Sequence, residues 1–429
     1  MDSTEWRKGL NLDDKSSGYR DVGVGQPYAP PIHINAEKED YMEKRATLIG
    51  IGNCGSQVAY WGEKQYPELF DSIYINTSES DLNQVSTPDN PMKFKIGDPD
   101  EVEGSGKNRD KTKEYLQKDI MKLLSNEKFE ETIVDKDYCF IIASTAGGTG
   151  SGASPVTYKL LKKNYPDTNF VLVFVLPKID ASLMEQGNTL EYLHEVYEVI
   201  GDDLVYMVYD NETVADMSPL AGPAKVNEDI IEDIRVLVSV DNMDAKYSNI
   251  DMRDMMNIIT NPGRLLVARI TKGLTEKNLE ETRLDDMYIQ AIKHSSHAET
   301  DRNNKVDRIG FITYLTEPAY KLYPDMEHLY EFLGEAFEKH SHNAENTTGR
   351  ENLSYAHLIA GGLSPINDRT EKITERVNEL KNKMATDDKM KFILEGGVSY
   401  NDIMEKRDKA AHLTENEKFT VDDIFGEFK

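Results

Sequence analysis

Ala46-Thr-Leu-Ile-Gly-Ile-Gly52-Asn-Cys-Gly55-Ser-Gln57 is the stretch on which the fold turns. An apolar run passes straight into glycines and Val58 to Tyr66 then takes on helical character, so the segment reads as strand, tight turn and helix. Gly50, Gly52 and Gly55 fit the G-x-G-x-x-G spacing of a dinucleotide turn. Such a turn lets backbone N–H groups and a helix N-terminus approach a phosphate, a contact of roughly 0.3–2 kcal/mol from the dipole alone. The competing reading gives these glycines only a close-packing role. A dehydrogenase would place an acid after the second strand to hold the ribose, and Asn76-Thr77 stand there instead.

Working outward, strands are expected at Ser72–Asn76, Tyr138–Ala143, Asn169–Leu176 and Asp203–Tyr209, with helices near 109–125 and from Ser154. Alternation of this kind predicts a parallel sheet flanked by helices. Pro223–Asp241 carries apolar residues at helical spacing and reads as one long, largely buried helix. After Pro262-Gly263 a smaller α/β set follows, with strands at Leu265–Thr271, Arg308–Thr316 and Leu353–Leu363 and helices near 276–297 and 325–341. The divisions are therefore an N-terminal arm (1–45), a first α/β domain (46–210), a central helix and loop (211–264), a second α/β domain (265–365), an amphipathic helix (366–384) and a charged, mobile tail (385–429).

A second glycine turn, Ala146-Gly147-Gly148-Thr149-Gly150-Ser151-Gly152, also follows a strand and precedes a helix. Four glycines in seven residues cost backbone entropy unless something must approach closely, and Thr149 and Ser151 add hydroxyl donors. Gly104-Ser105-Gly106-Lys107-Asn108-Arg109 looks like a P-loop but lacks the earlier glycine and the Ser or Thr after its lysine. It can still bring amides, Lys107 or Arg109 toward terminal phosphates; an ordinary surface turn is the other reading.

Together these turns resemble the tubulin/FtsZ superfamily of filament-forming GTPases, whose signature G-G-G-T-G-S/T-G is matched by Ala146–Gly152 except at its first position. The resemblance runs from residue 46 to about 385. Val175-Leu-Pro177, Asn261-Pro-Gly263-Arg264 and Ile359-Ala-Gly-Gly362 are most similar to its plasmid and phage branch, TubZ. The resemblance implies GTP/GDP as ligand with Mg²⁺ beside the phosphates. It implies that Gly52, Asn53, Cys54, Gln57 and Ala146–Gly152 (Gly147, Gly148, Thr149, Gly150 and Ser151 among them) hold the phosphates. Asn76 and Thr77 would lie near them, and Gly104, Ser105, Gly106 and Lys107 would face the γ-phosphate. Asn211 and Asn227 match the guanine-reading positions, and an amide side chain offers donor and acceptor together; a turn residue and a solvated helix position are the plain alternatives. Asn249, Asp251 and Asp254 match N-x-D-x-x-D, the loop that one subunit sets over the nucleotide of the next, with water activation contributing ~10²–10⁴-fold. An isolated acidic pair is otherwise a cap or a solvated face.

With 50 Lys+Arg against 77 Asp+Glu, the net charge of −27 speaks against direct binding to a phosphate backbone. Nucleic acid cargo would come through a DNA-bound adaptor on the C-terminal region, yet residues 385–429 hold 11 acids against 7 bases rather than a basic tail. Cys54 and Cys139 alone exclude a disulfide scaffold or a four-cysteine zinc module and fit a reducing compartment. No apolar run reaches the roughly 18 residues that a membrane span needs, so a cytoplasmic protein with no membrane partner is expected. The expected function is a head-to-tail polymerising GTPase that moves plasmid or phage DNA. The alternatives are a cell-division or phage-positioning scaffold of the same superfamily and, more remotely, an NAD-binding oxidoreductase. Phe419–Phe428 alternates acids with apolar residues in the manner of a short docking peptide.

Overall fold

A computed structural model describes residues 45–85, 92–97, 104–134, 136–239, 250, 252–301, 304–386 and 421–428. The arm before residue 45, Asn249, Asp251 and most of the tail lie outside the described residues. From the amino end the elements are β1 Ala46–Ile51, α1 Gly52–Gln65, β2 Phe70–Asn76, α2 Glu79–Gln84, β3 Lys93–Lys95, α3 Arg109–Leu124, α4 Glu127–Val134 and β4 Tyr138–Ser144. They continue as α5 Thr149–Asn164, β5 Asn169–Leu176, α6 Leu183–His194 with a π-helical extension Glu195–Ile200, β6 Val205–Asp210 and α7 Ala221–Ser239. Then follow α8 Met252–Ile259, β7 Gly263–Ile270, α9 Glu276–Glu281, α10 Leu284–Lys293, β8 Arg308–Leu315, α11 Glu317–Tyr320 and α12 Glu327–Leu333. β9 Glu338–Glu345, β10 Tyr355–Leu363, α13 Asn367–Thr386 and α14 Val421–Glu427 complete the order.

All ten described strands join one sheet in the order β3-β2-β1-β4-β5-β6-β7-β10-β8-β9. Pairing is parallel except at both edges of β10. β5, Asn-Phe-Val-Leu-Val-Phe-Val-Leu, is buried beyond its first residue, as expected of a strand with helices on both faces. One face packs against α1 and α7 and the other against α3, α5 and α6, giving two apolar layers, with a third beneath α10 and α12. The short junction Val205↔Gly263 and Tyr206↔Arg264 makes the sheet continuous between its halves.

α7 sits across that junction through buried charges rather than apolar contact alone. Asp233 accepts from Arg269 Nε at 2.5 Å and Tyr209 Oη at 2.8 Å and lies 3.0 Å from His297 Nε2. Asp229 takes Arg269 Nη2 at 2.7 Å and Ser296 Oγ at 2.6 Å. Arg269 is on β7 and Tyr209 on β6, so α7 is tied to strands of both halves.

Three expectations need correction. Residues 325–341 form not one helix but α12, ended by Gly334 at φ 94°, and then the edge strand β9, whose Glu-Lys-His-Ser-His-Asn-Ala-Glu has no apolar run to announce it. Residues 276–297 split into α9 and α10 because Thr282 is extended, at φ −137° and ψ 117°. The charged tail ends in a packed helix: α14 lies on α3 and α5, with Ile424, Phe425 and Phe428 buried. Among the described residues no helix is long and apolar enough to cross a membrane.

Candidate functional site

The carboxyl ends of β1, β2, β4, β5 and β6 share one edge of the sheet, where open α/β sheets bind ligands. Here the glycines of the first turn separate into two kinds. A Cβ on Gly55 would sit 1.9 Å from the Ile142 carbonyl oxygen, and one on Gly50 would sit 2.5 Å from Gly55 O, so both serve close packing of α1 on the sheet. Gly52 instead needs its left-handed φ of 70° and lies against Gly150 of the second turn. Asn53 is exposed, Gln57 is half-buried, and loss of hydration pushes the Cys54 thiol up to about 11, so it is neutral at pH 7.

Three loops stack into one cradle. Gly148 has room for no side chain, because a Cβ would meet Ser105 Oγ at 2.2 Å and Asn108 N at 2.7 Å. Thr149 Oγ1 lies 2.7 Å from Thr77 Oγ1 and 3.4 Å from Ser105 Oγ. Gly104 N–H donates to Thr77 O at 3.3 Å, and the Ser151 hydroxyl donates to Gly147 O. Gly150 and Gly152 are closed in by backbone of Ser144 and Arg109, whereas a Cβ on Gly147, Gly104 or Gly106 would meet nothing within 4 Å. Ala146 and Gly147 are half-buried at the rim. Asn76 holds its own turn, accepting from Ser78 N–H at 3.2 Å.

Both helices that start at this edge after a glycine turn are uncapped. α1 begins after Ile51 and α5 after Gly148, neither with a side-chain cap and neither with an acid in its first turn. Elsewhere Ser78, Asn108, Ser182 and Thr275 accept from the first-turn amides of α2, α3, α6 and α9. Free N–H groups at two neighbouring helix starts make an anion site. The hydroxyls of Thr77, Ser105 and Thr149 add oxygen ligands that fit Mg²⁺ taking its other ligands from phosphate and water.

Lys107 and Arg109 do not reach into the cradle. Lys107, itself at φ 62°, pairs with Glu185 at 2.8 Å. Arg109 is buried, donates to Ser151 O at 3.1 Å and pairs with Glu191 and Glu195, so it acts as a strut between α3, α5 and α6. Asn188 of α6 is a residue that motif reading missed. Its Nδ2 donates to Lys107 O and Ala146 O, each at 3.0 Å, and clips two loops together. Only the start of its helix has a local signal, the capping box Ser182-x-x-Glu185.

Asn211 follows β6 and spends one N–H on Leu176 O at 3.0 Å. Asn227, half-buried in the second turn of α7, makes no side-chain hydrogen bond among the described residues. Asp210, between them and the sheet, is locked by Arg369 of α13. α7, about 28 Å long at 1.5 Å per residue, runs from this edge to the opposite one, where Val238 O accepts from Arg45. Asp254 lies beyond it, half-buried at the start of α8 and 3.7 Å from His340 of β9. Next to it Ile250 and Ile258 abut Gly310, where β8 begins. The acid-bearing segment and the cradle thus occupy opposite edges of one sheet.

Residues 45–219 match the profile of the GTPase domain of the Tubulin/FtsZ family, so this stretch is similar to a tubulin/FtsZ-type GTPase domain. Among relatives, CetZ of Pyrococcus abyssi is 25% identical over 242 residues, 56% of this chain and 65% of its own length. TubZ of Clostridium botulinum C phage is 30% identical over 169 residues, 38% of this chain and 40% of its own. The chain thus spans 65% and 60% of the length of the CetZ proteins of Pyrococcus abyssi and Methanothrix thermoacetophila. In structure, the GTPγS-bound protofilament of CetZ2 from Haloferax volcanii superposes with a TM-score of 0.63 at 19% identity over 80% of this chain and all of that one, a likeness of fold.

Proposed function

We propose that this protein is a GTPase that assembles head to tail, each copy completing the nucleotide site of its neighbour. The observation that carries this reading is the separation of the two half-sites by the length of α7. Phosphates would rest on the N-termini of α1 and α5 and on the stacked turns Gly52–Cys54, Gly104–Gly106 and Ala146–Gly150. Gln57, Asn76 and Thr77 would line the same rim, and Asn211 and Asn227 would read guanine by paired donor and acceptor. Mg²⁺ would be held by the Thr77, Thr149 and Ser105 hydroxyls, neutralising phosphate charge. Asn249 of the next copy would help orient the attacking water and its Asp251 and Asp254 carboxylates would accept the proton, since phosphoryl transfer rests mainly on positioning and electrostatics.

Exposed apolar residues support contact between the two edges. Phe337, 92% exposed, opens β9 on the acid-bearing side, and Leu220, 70% exposed, precedes α7 on the nucleotide side. Different surfaces meeting in this way make an open, heterologous contact, the kind that grows filaments. For cargo we propose plasmid or phage DNA reached through an adaptor; likeness to a phage TubZ supports it, and the charge of −27 favours an intermediary.

Complementation tests the shared site. Gly147→Glu puts an acid into the cradle where nothing blocks its Cβ, and Asp251→Ala removes a carboxylate from the other half. Each alone should hydrolyse little GTP. Mixed, they should recover hydrolysis, because every intact cradle can receive an intact loop. No recovery in the mixture, or full-speed hydrolysis by dilute unassembled protein, would overturn the reading.

A further inference from the structure

The end of the chain returns to the body on the face formed by α3 and α5, away from both edges used above. Three kinds of contact seat it. Ile424, Phe425 and Phe428, at 3%, 2% and 5% exposure, join the apolar layer that contains Leu116 and Ile120 of α3 and Val156 and Leu160 of α5. Lys159 of α5 pairs with Glu427. Lys113 of α3 donates to the Phe428 carbonyl at 3.0 Å, which fixes the register of the last residues. The segment joins α13 through residues 387–420, 420 − 386 = 34 residues, with a fully extended reach of about 110–120 Å.

We propose that the α3–α5 face is a peptide-docking site whose ligand is the chain's own segment Val421–Phe428, seated in cis and able to leave. Among the described residues the seat is small: three apolar anchors, one ion pair and one hydrogen bond from the Lys113 side chain to a main-chain carbonyl oppose the ordering of eight residues. Tethering makes up the difference, because a linker of this length keeps the ligand at an effective concentration on the order of millimolar. In a chain with 27 excess negative charges, Lys159 on this face meets Glu427 of the segment and Lys113 its Phe428 carbonyl, a local complementarity that selects the register. The proposal does not rest on the GTPase reading.

Self-competition tests it in the full-length chain. A fluorescein-labelled peptide of residues 417–429 is titrated, by anisotropy, into wild-type protein and into the double variant Phe425→Glu with Phe428→Glu. The variant should bind the peptide about tenfold more tightly than wild type, whose seat is filled, if the free peptide binds at ~0.1 mM. Adding Lys159→Glu to that variant should weaken binding several-fold, and a peptide carrying Glu427→Lys should restore it. Absence of saturable binding, equal affinity for both proteins, or failure of the charge swap would overturn the proposal. Hydrogen exchange on unmodified wild type gives an answer independent of variant folding. Amides of Ile424–Phe428 should exchange at least tenfold more slowly than in the free peptide, at all protein concentrations. Free-peptide rates would refute docking, and protection that grows with concentration would refute docking in cis.

Discussion

The glycine-turn edge and the α7 junction are both built from polar groups, but they handle them oppositely. At the junction every acid that α7 turns toward β6 and β7 is met: Asp229 and Asp233 share Arg269, Tyr209, His297 and Ser296. At the glycine-turn edge the helix starts of α1 and α5 are left without side-chain caps or first-turn acids, while α2, α3, α6 and α9 are capped. Groups satisfied from within hold a fold together, and groups left open at a helix start await an outside partner. The two regions should therefore fail in different ways.

The largest expected effect is on the chemical step. Asp251→Ala should lower GTP turnover by ~10²–10⁴-fold while leaving thermal stability and nucleotide affinity unchanged, as measured by phosphate release beside equilibrium binding. Next comes Arg269→Met, which removes the guanidinium shared by two buried carboxylates of α7, leaving Asp229 with Lys225 and Asp233 with His297 as basic neighbours. By analogy with broken buried pairs it should cost about 3–5 kcal/mol in urea unfolding. Gly55→Ala and Gly147→Ala then sharpen the contrast within the glycine turns. The first forces a Cβ into the Ile142 carbonyl and should cost about 1–3 kcal/mol; the second should leave stability alone and weaken GTP binding.

A titration sharpens it further. His357 of β10 is buried and pushed down to about 3, first by burial and then by Arg235 and Arg269, with Asp233 opposing. The unfolded chain binds this proton near pH 6.5 and the folded one does not. Stability should therefore fall as pH drops below about 6.5, by up to ~1.4 kcal/mol per pH unit from this group. His357→Phe should flatten that slope between pH 6.5 and 4 in a series of melting temperatures. The smallest effect is expected for Phe337→Ser, which should leave folding intact and raise, by a few-fold, the concentration at which light scattering with GTP begins.

What was legible from local pattern was considerable. β1, β4 and β5 announce themselves as apolar runs, and α7 and α13 by helical spacing, because burial on a face imposes a period on neighbouring residues. β9 escaped notice because an edge strand whose inward positions are His340, His342 and Ala344 has no such period in apolar residues. Arg109 looked like a phosphate ligand only because its partners, Glu191 and Glu195, come more than eighty residues later.

By itself the sequence determined the strand–turn–helix units and the glycine turns between them, since these depend on residues adjacent in the chain. Tertiary structure alone decided which glycines pack and which leave space, that Asn188 clips two loops, and that the last eight described residues fold back on α3 and α5. It also decided that cradle and Asp254 face opposite ways, because only the direction of α7 across a continuous sheet sets the distance between them.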